Sequence, residues 1–382
     1  MKFSKKAKAL VLAAVIAVSG ATPAHAVDLA GSGASFVVPL VEACKAGFAQ
    51  KTGHSFVYTS TGSGTGKNNS DNRIGDFWFS DSAHTGANKR STIFHAPIVA
   101  APIAVLVNLP AKKDIYLSAP TVARIFAGEI TMWNDPAIVA DNNRTVRSVV
   151  YRKDANGNAR LDSKGNPIVL RNSSKSIFYT LPAKPIKVVF RSDTSGTTNN
   201  FTRWMSGNAP TVWTKPANDA FTTAFPGNIN ATSNIGRIVG ANGSQGVATL
   251  ASKTPYSITY AEKQWGTSFG LRAAYVGNAS GNFTLPDSAA VSAFLGEAKQ
   301  AADGIVTYDY ATKVPGAYTL GIVSYMLLET SYANKEKGKA VVELAEYLLS
   351  PECSLGAAST GFIVIEGTFL AKAKQLIARA NK

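Results

Sequence analysis

The sequence predicts an α/β protein of two domains, and three observations carry that reading. Short apolar strands alternate with helical patterns along the whole chain, as in sheets flanked by helices. The 382 residues fall to about 356 once an N-terminal leader is set aside, which at roughly 100 to 200 residues per domain gives two. Hydrophobic residues make up 45% and charged residues only 16%, the balance of a globular chain with an ample core.

The leader comes first. Lys2, Lys5, Lys6 and Lys8 precede an apolar run over residues 9–18, and a small-residue stretch then ends in Ala24-His25-Ala26. This is the pattern of a secretory signal peptide over residues 1–26, cleaved so that the mature chain starts at Val27. The run is too short to span a bilayer, and no cysteine near the cleavage point offers a lipid attachment.

Residues 37–50 then read as a helix, with Leu40, Val41, Cys44 and Phe48 on one face and Gly53 as the stop. Residues 55–59, 77–80, 103–108 and 186–190 read as strands. The most apolar stretch, residues 96–109, is short and interrupted by Pro97 and Pro102, so it predicts buried strands rather than a membrane span. Between 141 and 183 the composition shifts to Arg, Lys, Asn and Gly, with turn signals at Asn156-Gly157 and Lys164-Gly165-Asn166. One or two inserted surface hairpins are expected there. Asp154, Asn156, Asn158 and Asp162 suggest a calcium loop, but the closing Glu of that pattern is missing, so no metal is expected. A helix over 337–349 stops at Pro351 and a C-terminal helix follows. No repeat is visible.

The formal charge is +15, and the four leader lysines account for four of it, leaving +11. A basic surface favours anionic partners. Nucleic acid is not expected, since the chain is exported and has no basic stripe interleaved with aromatics. The plain alternative is a solvated basic face that keeps the protein soluble. Cys44 and Cys353 are the only cysteines. An even count in an oxidising compartment predicts one disulfide joining the two ends of the chain, with two separate buried thiols as the alternative.

Three Gly/Ser/Thr-rich segments carry the chemistry: Gly31 to Phe36, Gly62 to Gly66, and Ser195 to Thr198. Small residues let backbone N–H groups approach a ligand, and a helix start leaves those donors unpaired at the positive end of the dipole. Such corners bind anions, although each alone is most often only a helix cap. The third follows Arg191, whose planar guanidinium grips an oxyanion with two parallel bonds. Residues 62–67 also suggest a nucleotide P-loop, but Thr61 and Asn68 stand where that pattern needs Gly and Ser or Thr.

Gly33-Ala34-Ser35-Phe36, Gly62-Ser63, Phe77 to Asp81, Ile130-Thr131-Met132-Trp133-Asn134-Asp135-Pro136 and Arg191 to Thr198 match in order and spacing. On these segments the chain resembles the phosphate-binding proteins of high-affinity phosphate ABC transporters. The resemblance covers nearly all of the mature chain. It implies a two-lobed periplasmic-binding-protein-like fold, each lobe a mixed sheet flanked by helices, with phosphate held in the cleft between them. Lobe 1 is expected over 27–108 plus 318–382 and lobe 2 over 109–317. The resemblance further implies that Ser35 and Phe36 supply backbone and hydroxyl donors, that Ser63 supplies its hydroxyl and N–H, and that Asp81 accepts a proton-mediated bond. Arg191 supplies the cation, oriented by Asp193, and Ser195, Gly196 and Thr197 close the other side. Partners implied are inorganic phosphate and the membrane permease of such a transporter. A monomer without cofactor is expected. Trp78 and Phe79 stand where the family usually has small residues, and the 141–183 insert is also a departure.

Three alternatives stand beside this reading. A secreted phosphatase-like enzyme would need a nucleophile with a base or a metal, and the mature chain has only His54, His84 and His95, in no metal-ligand spacing. A binder of another oxyanion is disfavoured by Asp81, which accepts hydrogen bonds and repels a fully ionised anion. An envelope protein that merely keeps the fold would use the basic insert.

Overall fold

The strand Ile93–Val107 is buried along its whole length, and the main sheet is arranged around it. The structure, a computed structural model, describes residues 26–110, 113–359 and 361–382, so the expected signal peptide lies outside the described residues except for Ala26. The first part of the strand pairs antiparallel with Gly321–Glu329 and the second part antiparallel with Ser257–Glu262. Beyond Gly321–Glu329 lie Phe77–Ser80, Asp28–Gly33 and Ser55–Ser60; beyond Ser257–Glu262 lie Lys187–Arg191 and Ile238–Ala241. On each side the outer strands run parallel. Parallel neighbours need long crossovers, and helices supply them: Val38–Thr52 and Ser63–Asp71 on one side, Gly196–Asn208 and Gly243–Lys253 on the other. The result is two α/β lobes whose sheet strands are joined through the one long strand Ile93–Val107.

Pro97 and Pro102 predict breaks in the apolar run, but the strand Ile93–Val107 runs through both. Pro97 sits opposite Tyr325, where the register slips between Ser324 and Tyr325. A residue without an N–H is tolerated at such an irregularity because no ladder bond is lost there. Pro102 pairs with Gly321, next to the point where Ser257–Glu262 takes over as the partner strand.

The first helix, Val38–Thr52, buries Leu40, Val41, Cys44 and Phe48 and ends on Gly53 at φ 74°, whose N–H bonds Ala49 O. This left-handed stop is why glycine stands there. Trp78 and Phe79 are fully buried. Trp78 packs with Ile93 and Leu327 while its indole N–H bonds Ile74 O at 2.7 Å. The two large side chains are therefore core rather than ligand contacts. The insert forms a separate two-stranded ribbon, Asn143–Tyr151 against Val169–Phe178. Its Asp154 and Asp162 carboxylates accept backbone N–H groups of their own turns.

Cys44 and Cys353 are bonded, with Cα atoms 5.1 Å apart, and tie Val38–Thr52 to the helix Pro351–Ser359. Closing so long a loop removes conformations from the unfolded chain, so replacing both cysteines with alanine is expected to cost roughly 2 to 5 kcal/mol. Urea unfolding of the oxidised protein and the double variant measures it. Coincident midpoints would mean that the bridge contributes nothing.

Candidate anion-binding site

Helix starts and strand ends from both lobes converge on one point. After the strand Asp28–Gly33 the chain turns through Ser35, whose Oγ accepts the Ser244 N–H at 3.2 Å and lies 3.1 Å from Ser244 Oγ. Gly62, at φ 85°, starts the helix Ser63–Asp71, and Ser63 Oγ accepts the Asp81 N–H at 3.1 Å. From the other lobe, Ser195 caps the helix Gly196–Asn208 by accepting the Thr198 N–H at 3.2 Å. The N–H groups of Gly196 and Thr197, in its first turn, have no intrahelical acceptor and sit at the positive end of the dipole. A Cβ on Gly196 would stand 2.6 Å from both Ser63 Oγ and Ser82 N, so only glycine allows this approach.

The lobes touch around this point. Gly64 N–H donates to Thr194 O at 3.0 Å, Asn200 Nδ2 to Asp81 O at 2.6 Å, and Lys67 Nζ lies 2.7 Å from Asp219 Oδ2. A cavity of about 650 Å³ opens beside Ser35 and Ser244, with Gln245, Lys253 and Trp265 in its wall.

Arg191 ends the strand Lys187–Arg191 and is 2% exposed. Its Nε donates to Asp193 Oδ1 at 2.7 Å, Nη2 to Asp193 Oδ2 at 2.5 Å and Nη1 to Ser244 Oγ at 3.0 Å. A guanidinium has five N–H donors, so two remain for an anion. Burial works against the charge of both partners, yet each outweighs it for the other: Asp193 is held below the usual carboxylate range and Arg191 is raised.

Asp81 follows the strand Phe77–Ser80 and is 2% exposed. Ser324 Oγ donates to its Oδ1 at 2.7 Å and Thr197 Oγ1 to its Oδ2 at 3.3 Å. Burial pushes its pKa up to about 7, with Glu262 adding repulsion and Ser324, Arg191 and Thr197 holding it back. Glu262 ends Ser257–Glu262 and is equally buried. Its Oε1 accepts from Ser244 Oγ at 3.1 Å, while Oε2 has no hydrogen-bond partner. Burial raises its pKa too. Donors and one cation can thus hold a tetrahedral oxyanion, while the buried carboxylates favour one that carries a proton.

A family profile described as "PBP superfamily domain" matches residues 19–352. The chain belongs to the PBP superfamily. It is 29% identical over 330 residues to a Mycobacterium tuberculosis protein named phosphate-binding protein PstS 3, covering 83% of this chain and 76% of that one. It is 28% identical over 357 residues to phosphate-binding protein PstS 2 of the same species, covering 88% and 80%. Among solved structures, a periplasmic phosphate-binding protein (PfluDING) bound with phosphate superposes with a TM-score of 0.65 at 20% identity, covering 91% of this chain and 93% of that one. The phosphate-binding protein of Stenotrophomonas maltophilia gives 0.62 at 17%, covering 92% and 93%. At these identities the structures speak for the fold alone.

In this PBP superfamily chain, Ser35, Ser63, Asp81, Arg191, Asp193, Ser195, Gly196 and Thr197 come together at the point where the lobes meet. Phe36 lies beside them with its ring in the core, edge-on to Phe362, which leaves only its backbone as a donor. Sequence reasoning missed Ser244, Glu262, Asn200 and Ser324. Two of them had signals. Asn242-Gly243-Ser244 is a fourth Gly/Ser helix start, with Gly243 at φ 72°, and Glu262 ends an apolar strand as Asp81 does. Ser324 lies inside a strand, and its role follows from pairing that the sequence does not spell out.

Proposed function

We propose that the chain captures inorganic phosphate between its lobes and delivers it to the permease of an ABC transporter, without chemistry on the ligand. The observation that carries this reading is a buried carboxylate, Asp81, near enough to Arg191 to feel its charge, with two N–H groups of that guanidinium not used by Asp193 or Ser244. The names of the mycobacterial relatives support phosphate as the ligand. In this reading lobe 1 is 27–108 plus 318–382, lobe 2 is 109–317, and Ser35, Phe36, Ser63, Asp81, Arg191, Ser195, Gly196 and Thr197 contact phosphate with Asp193 behind Arg191. The protein works as a monomer after export. Among the described residues no helix is long and apolar enough to cross a membrane.

A binder rather than a phosphatase is favoured by the partners of the serines. Ser63 Oγ bonds the Asp81 N–H and Ser195 Oγ caps a helix, while His54 and His84 pair with Glu343 and Asp71. No hydroxyl of the site has a histidine base among these bonds. Equilibrium dialysis of residues 27–382 with labelled phosphate, beside a hydrolysis assay on a phosphate ester, tests the reading. One phosphate bound per chain with no ester turnover is expected; turnover, or no binding, would overturn it.

A further inference from the structure

The ribbon made by Asn143–Tyr151 and Val169–Phe178 has no part in the site above. Residues 143–178 hold eight basic residues and two acids, a net six positive charges and more than half of the +11 carried outside the leader. All eight are exposed. Lys153 pairs with Asp287 and Arg144 lies over the Phe283 ring. Arg147, Arg152, Arg160, Lys164, Arg171 and Lys175 have no carboxylate partner among the described residues. The two acids bond their own turns, so neither shields a cation.

The exposed apolar side chains gather in the same place. Among the described residues, eight large hydrophobic side chains are exposed, and five of them, Val150, Leu161, Val169, Leu170 and Phe178, belong to the ribbon. Phe178 is 78% exposed and Leu170 59%. The ribbon is nevertheless anchored: Val146 and Ile177 pack with Tyr116 and Phe283, and Tyr151 and Ala159 with Ala289 and Ala293. It is a fixed element that keeps cations and apolar groups in water at some cost.

We propose that this ribbon docks on the surface of an anionic lipid bilayer, with its arginines and lysines over headgroup phosphates and Phe178, Leu170 and Leu161 at the acyl boundary. Interleaved cations and apolar side chains suit an interface in which charge and hydrocarbon lie in adjacent layers. They are strung along both faces of the ribbon, Phe178 and Arg147 on one and Val150, Arg171 and Lys175 on the other, over some nine paired residues or about 30 Å. A laterally uniform surface meets side chains spread in this way anywhere along the ribbon, whereas a protein partner concentrates its binding in a few central side chains. The inference stands whether or not the cleft binds phosphate.

Flotation of residues 27–382 with vesicles of phosphatidylglycerol and phosphatidylcholine, against phosphatidylcholine alone, tests it. The wild type should bind only the anionic vesicles and be released largely by about 1 M salt, where screening is nearly complete. Changing Arg147, Arg152, Arg160, Lys164, Arg171 and Lys175 together to glutamine should lower binding at least about tenfold. A control with Lys215, Lys263, Lys299, Lys313, Lys339 and Lys374 changed to glutamine removes the same charge elsewhere and should bind almost as the wild type does. Phe178→Ser with Leu170→Ser should remove the part of binding that survives salt. Far-UV dichroism and urea midpoints confirm that each variant is folded. A wild type that ignores anionic vesicles, including one captured by acidic proteins instead, overturns the proposal, as does an equal loss in the ribbon and control variants.

Discussion

Replacing Arg191 with alanine is expected to weaken phosphate binding by a factor of about a hundred to several thousand, the consequence of about 3 to 5 kcal/mol for breaking a buried ionic pair. The guanidinium bonds Ser244 and neutralises Asp193 within the site. Without it Asp81, Asp193 and Glu262 face an incoming anion with nothing to offset them, so the residual field repels the ligand. Arg191→Lys restores a charge but not the fork, and a point charge cannot bridge Asp193, Ser244 and an oxyanion together. Intermediate binding is expected from it. Titration calorimetry of both variants, with urea midpoints to show they remain folded, gives the ranking. An alanine variant that bound phosphate like the wild type would remove the site assignment.

Asp81 should make sulfate binding depend steeply on pH. Its folded pKa is about 7, so at pH 8 it is mostly ionised and repels an anion that brings no proton. Below pH 7 it carries its own proton and can donate to sulfate. Sulfate affinity should therefore rise about tenfold for each unit of pH lowered toward 7 and level off beneath it. Phosphate keeps a proton of its own over this range and should vary less. In Asp81→Asn the amide can donate at any pH, so the sulfate profile should lose the part that Asp81 contributes and the discrimination at pH 8 should shrink.

The same residue fixes the sign of a stability effect. Because its folded pKa is raised above the unfolded value near 4, the ligand-free protein should lose stability as pH rises from about 4 to about 7, and Asp81→Asn should remove that part of the slope. Urea midpoints across this range report it, and a sulfate affinity that ignores pH in the wild type would contradict the role given to Asp81.

Much of the site was legible because it is built from local signals. Gly62-Ser63 and Ser195-Gly196-Thr197 announce helix starts, and Arg191 and Asp193 stand beside one of them in sequence as in space. Glu262 and Ser244 carried comparable signals, a carboxylate closing an apolar strand and a glycine at positive φ before a helix, and were overlooked because no single one is specific. Ser324 was out of reach for a different reason. It meets Asp81 through the pairing of Gly321–Glu329 with Phe77–Ser80, beside the register slip opposite Pro97, and strand order across a sheet is a long-range property. The same limit turned one long strand into apparent fragments at Pro97 and Pro102, since a proline reads as a breaker until its partner strand is known.

The most direct measurement of phosphate capture with discrimination is calorimetry of residues 27–382 with phosphate and with sulfate in parallel at pH 8. One phosphate per chain is expected, with sulfate weaker by at least about tenfold, or about 1.4 kcal/mol. Equal affinities for the two anions, or no heat with phosphate from protein verified free of ligand, would contradict it.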